Sequence, residues 1–124
     1  MSIRTPLARV EGLGTARSGS DHFWHQRISA AALVLLSLWL VFAGLRLVGA
    51  PHADVIAFLS APINAILMLL FILAAVFHMM LGIQVVIEDY VPNDKQKVLC
   101  LALNRGFGWA VGVACVFAML KIAL

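Results

Sequence analysis

The chain has 124 residues, of which 63% are hydrophobic and 12% charged. A water-soluble domain of this size cannot enclose that much apolar surface, so the composition describes an integral membrane protein whose residues face lipid or other helices. The formal net charge of +3 belongs to scattered cations that flank apolar runs, which argues against a nucleic-acid partner.

Residues 1–20 are polar, contain Gly and Ser and show no periodicity, as expected of a flexible or partner-bound tail. No cleavable signal peptide is expected: the first apolar run begins near Ile28, behind a long polar leader without a small-residue cleavage site. The leader mixes Arg4, Arg9 and Arg17 with Glu11 and Asp21, which argues against a mitochondrial presequence. Asp21 to Arg27 combines aromatic with titratable residues, the mixture of a membrane–water interface.

Residues 21–124 read as a three-helix membrane anchor, with spans at about 28–48, 63–87 and 98–120. Gly49, Ala50 and Pro51 end the first span. Val55 to Ala61 fits a short interfacial helix before Pro62, a good first-turn residue. The second span holds roughly 25 residues, more than the ~20 needed to cross, so it is tilted or projects beyond the hydrocarbon. Pro92-Asn93-Asp94 breaks it. The third helix is expected to start near Lys95, with its first two turns at headgroup level, before the polar interruption Asn104-Arg105. Gly108 and Gly112 form a G-x-x-x-G compatible with close helix packing. Cys100 and Cys115 form no C-x-x-C and no metal-ligand spacing, and read as small buried hydrophobes.

Flanking cations set the orientation. Arg4, Arg9, Arg17 and Arg27 precede the first span, and Lys95, Lys97 and Arg105 follow the second. Only Arg46 and Lys121 lie on the other side. The positive-inside rule puts the N-terminus and the second loop in the cytoplasm, with Arg27, Asp89 and Tyr90 at that face.

The second span carries the chemistry. His78 lies deep in an apolar run without charge before Glu88, where a histidine binds metal, relays protons or bonds a neighbouring helix. Asp89 is eleven residues further on, close to three helical turns, so both share one face about 16 Å apart. Gly82, one turn beyond His78, leaves a flat notch against which a planar macrocycle can lie. Neutral imidazole is a good axial ligand for haem iron. Met79 and Met80 point off this face and read as packing residues. His22, His25 and His52 sit at interfaces, so a bis-histidine haem would take its second ligand from another subunit. Carboxylates at a helix C-terminus oppose its dipole, so Glu88 and Asp89 are not there for helix stability. The Tyr90 phenol can donate to a quinone carbonyl, and a nearby acid can orient it or supply protons. Arg27 reads as a topology-setting cation or as a partner for a propionate or quinone-site carboxylate.

H-x-x-x-G-x-x-x-V-x-x-D-Y, here His78, Gly82, Val86, Asp89 and Tyr90, resembles the second helix of the small membrane-anchor subunit of succinate dehydrogenase. H-x-W-x-Q-R-x-[ST]-A, here His22 to Ala30, is similar to the start of that subunit's first helix. The third helix matches in position and hydropathy alone. The resemblance implies an all-α integral membrane subunit packed against a second anchor, a cytochrome b subunit, with one haem b shared between them. It implies an iron-sulfur subunit and a flavoprotein subunit on the cytoplasmic side of a bacterial inner membrane, and ubiquinone as substrate. It assigns His78 as a haem-iron ligand, Tyr90 as a quinone hydrogen-bond donor, Asp89 as support for that site, and Arg27 to the haem propionates or the quinone. The chain itself would hold no catalytic centre for succinate. Three alternatives stand beside this: an anchor of a quinol:fumarate reductase, a structural anchor without haem whose His78 bonds across helices, and a transporter subunit using His78, Asp89 and Arg27 as a proton path.

Overall fold

The computed structural model describes residues 16–124, which form four helices: α1, Ala16–Leu47; α2, His52–Ser60; α3, Pro62–Tyr90; and α4, Asp94–Ala123. Residues 1–15 of the expected tail lie outside the described residues. The rest of that tail, from Ala16 on, already belongs to α1. Three helices are long and apolar enough to cross a membrane: α1 from Ser20, α3 and α4. At 32, 29 and 30 residues they measure about 43–48 Å, longer than the ~30 Å hydrocarbon layer. Their ends therefore reach the headgroup region.

The breaks follow local backbone chemistry. Gly49 adopts a φ of 76°, the left-handed conformation that ends a helix at little steric cost. The Ala50 N–H closes on the Leu47 carbonyl at 3.1 Å. Pro51 precedes α2 and Pro62 opens α3, where a missing N–H costs nothing. Asn64 Nδ2 donates to the Phe58 carbonyl at 2.9 Å and fixes the α2–α3 corner. Asn93 caps α4, its Oδ1 accepting from the Lys95 and Gln96 N–H groups at 3.0 and 3.4 Å. The third helix thus starts one residue before Lys95.

Helix α3 is the centre of the bundle and packs against both α1 and α4. The α3–α4 contact uses small residues. Met80 lies directly on Gly108, where a Cβ would collide with its thioether. The Val76 methyl Cγ1 lies 3.5 Å from where a Gly112 Cβ would be. The G-x-x-x-G thus packs α4 onto this chain's own second span. Among the described residues only Ala43, Ala65 and Met119 are buried hydrophobics, and no large side chain is fully enclosed. Ser29 and Asn104 are the two buried polar residues among those described. The described residues form almost no apolar core of their own, and most of their large apolar side chains are exposed.

Candidate functional site

The site forms where α1 crosses α3. His22, Gln26 and Ser29 follow each other at i, i+4 and i+7, so they make one stripe of α1. That stripe meets His78 and Gly82. Ser29 is 7% exposed, and its Oγ lies 3.0 Å from His78 Nδ1. The same hydroxyl is 3.1 Å from the Gln26 carbonyl oxygen. Gln26 Nε2 lies 3.8 Å from where a Gly82 Cβ would stand, so the missing side chain gives the amide its place. Two polar atoms of the stripe, His22 Nε2 and Gln26 Oε1, are enclosed without a hydrogen-bond partner. Hydrogen bonding through Nδ1 leaves His78 Nε2 uncommitted by any described residue.

Other residues lie beside this cluster, and Ser29 links it to an apolar groove that His78 itself does not line. His25 Nδ1 donates to the Asp21 carbonyl, 2.7 Å away, and the ring packs edge-on against Phe77 at 6.0 Å between ring centroids. It therefore reaches the ring next to His78 in sequence. An apolar groove of about 930 Å³ runs along α3 between α1 and α4, lined by His25, Ser29, Phe77, Met80, Trp109 and Phe117 among others. Asn104, on α4, donates from Nδ2 to the Met80 carbonyl at 2.9 Å, and its Oδ1 has no partner.

The other expected residues lie apart from this cluster. Asp89 is exposed, and Tyr90, 81% exposed, ends α3. Glu88 accepts from Gln84 Nε2 at 2.8 Å along the same helix. Arg27 stands beside the stripe and is exposed, its guanidinium over the Phe23 ring at 5.2 Å. Helices α1 and α3 are antiparallel, and the Ser29–His78 and Gln26–Gly82 approaches fix their register. By that register Arg27 sits near the level of residues 80–81, roughly 14 Å short of Tyr90 along the axis. Arg27 thus belongs to the level of His78 rather than to the Asp89–Tyr90 end.

Sequence reasoning found His78 and Gly82 but gave no role to Ser29, Gln26 or Asn104. The stripe of polar residues at helical spacing in an otherwise apolar segment is the signal that marks Ser29 and Gln26.

The chain matches the family model described as succinate dehydrogenase/fumarate reductase transmembrane subunit over residues 1–122. It is 31% identical over 124 residues to the succinate dehydrogenase hydrophobic membrane anchor subunit of Paracoccus denitrificans, covering all of this chain and 95% of the relative. It is 36% identical over 117 residues to the subunit of the same name from Rickettsia bellii, covering 94% of each. The succinate dehydrogenase membrane anchor subunit of Reclinomonas americana is 33% identical over 92 residues, 72% of this chain and 77% of the relative. No solved structure gives a significant match. The match of the family model over almost the whole length, together with three apolar spans, places the chain in the succinate dehydrogenase/fumarate reductase transmembrane subunit family as a membrane anchor.

Proposed function

We propose that the chain anchors a succinate:quinone oxidoreductase in a bacterial inner membrane, binds haem b through His78 at an interface with a second anchor subunit, and helps form the ubiquinone-reduction site. The observation that carries the haem assignment is the state of His78. Its Nδ1 is engaged by the buried Ser29 hydroxyl, which leaves Nε2 as a free donor to iron. Gly82, one turn on, lets α1 lie close to α3, with the Gln26 amide 3.8 Å from where its Cβ would stand, and so brings Ser29 to the imidazole. A haem would supply one-electron redox chemistry at this level.

What this chain's residues do follows from their positions. His78 would ligate the haem iron, oriented by the Ser29 hydroxyl of α1. Arg27, at nearly the same level and uncovered, offers a guanidinium to a propionate carboxylate, the pairing its planar fork suits. Tyr90 and Asp89, exposed where α3 ends, are available to a quinone head group and to a docking iron-sulfur subunit, with the flavoprotein subunit beyond it. The phenol donates to a carbonyl oxygen as negative charge develops, and the carboxylate holds a proton nearby. The flanking cations set this end of α3 in the cytoplasm.

The His78–Ser29 bond also supports a second reading, a haem-free structural anchor in which the histidine only ties two helices together. The absorbance spectrum of the purified complex separates them. A b-type spectrum that changes on adding succinate, and that is lost or altered in His78→Ala, is the expected result. A complex without haem, or one whose haem ignores His78→Ala, overturns the ligand assignment.

A further inference from the structure

We propose that Ser29 is a positioning residue for the haem, fixing the tautomer and ring plane of His78 and thereby lowering the midpoint potential of the iron. The inference rests on the haem reading above. Its physical basis is proton placement. An imidazole that ligates through Nε2 must carry its proton on Nδ1, and that proton needs an acceptor in a site with little water. Ser29 Oγ is 3.0 Å from Nδ1, within hydrogen-bond range. A hydroxyl has one proton and two lone pairs. If its lone pair receives the Nδ1–H, its own proton must go elsewhere, and the Gln26 carbonyl oxygen stands at 3.1 Å. Every proton in the chain His78 Nδ1–H, Ser29 O–H, Gln26 C=O then has a destination, and no donor is left over.

The arrangement is built rather than incidental. Ser29 is 7% exposed and one of two buried polar residues among those described. Its acceptor is helix backbone, which cannot rotate away. Ser29 and His78 stand on different helices, 49 residues apart in the chain, so the bond also sets the azimuth of the imidazole. A ligating histidine whose other nitrogen donates to an oxygen is a stronger base. Added electron density on the ligand favours the oxidised iron and lowers the potential. Breaking the bond should therefore shift the midpoint potential upward.

The test uses the assembled complex carrying Ser29→Ala, Ser29→Thr, Ser29→Val or His78→Ala. Three quantities are read in each preparation: haem content, the α-band of the reduced spectrum, and the midpoint potential from a redox titration. Ser29→Ala and Ser29→Val should raise the potential and move the α-band, with haem held in full or in part. Ser29→Thr keeps the hydroxyl and is nearly isosteric with Val, so it should restore the parent values. Thr and Val variants that shift alike would make packing, not the hydroxyl, responsible and would overturn the inference. So would Ala and Val variants that keep the parent potential and band. If His78→Ala loses the haem while every Ser29 variant matches the parent, the ligand assignment stands and the role of Ser29 falls. If His78→Ala leaves the haem spectrum unchanged, both fall.

Discussion

Asn104 donates to the main-chain carbonyl of Met80 at 2.9 Å, two residues past His78, so α4 is tied to α3 beside the proposed haem ligand. Ser29 ties α1 to His78 itself. The helix that carries the histidine is therefore held from both flanks by a buried polar side chain, in a chain whose remaining contacts are nearly all apolar.

Replacing Asn104 tests that tie. An interhelical hydrogen bond in a membrane contributes about 0.6 kcal/mol on average and at most about 1.7. Asn104→Ala should lower the thermal stability of the detergent-solubilised complex slightly and leave it assembled. Asn104→Asp buries a carboxylate at a cost of about 3 kcal/mol at membrane depth, so it should reduce assembled complex in the membrane. An Asp variant that assembles as well as the parent would mean that water reaches this position.

Gly108 is where α4 meets Met80 of α3, and any Cβ there runs into the Met80 side chain. Gly108→Leu should cost about 3 kcal/mol, the upper end for overpacking, and Gly108→Ala nearer 1 kcal/mol, because a thioether can turn aside. Combining Gly108→Ala with Met80→Ala should recover part of the loss. Thermal unfolding of the complex reads all three, and a double variant no better than Gly108→Ala alone would show that the two residues do not share the strain.

Arg27→Ala should weaken haem retention more than membrane insertion, because Arg4, Arg9 and Arg17 still set topology. A hydrogen bond to a charged group contributes about 1.5–3 kcal/mol, so haem affinity should fall roughly tenfold or more. Arg27→Lys should rescue only in part if the contact is bidentate. The measurement is haem per complex together with quinone turnover, and parent values in both variants would reduce Arg27 to a topology residue.

Tyr90→Phe removes a phenol that is 81% exposed and keeps the ring, so assembly should survive. Loss of a donor aimed at developing charge typically costs about 3 kcal/mol, or roughly a hundredfold in rate. The ratio of quinone-dependent to dye-dependent succinate oxidation in one preparation should fall accordingly. If the ratio holds, Tyr90 is an interfacial aromatic and the quinone head group lies elsewhere.

The three spans could be read from the sequence because their punctuation is local: Gly49-Ala50-Pro51, Pro62 and Pro92-Asn93 end or start helices whatever surrounds them. His78 and Gly82 stood out for the same reason, as a lone imidazole and a notch in an apolar run. The start of α1 did not, since no breaker lies between Ser20 and Ile28 and the helix simply runs back through the polar segment to Ala16. The period of the polar stripe marks Ser29, but what Ser29 and Asn104 face depends on the register between helices, which period alone does not carry. The same register moved Arg27 from the level of Tyr90 to that of His78.

The near absence of an enclosed apolar core has a consequence for how the cell can hold this protein. Whatever binds the folded form and not the unfolded one stabilises it by mass action. A subunit with so little interior takes most of its stability from what covers it, lipid and partner subunits together, so its lifetime should follow the supply of those partners. Made in excess of them, it should be degraded faster than when made in step with them.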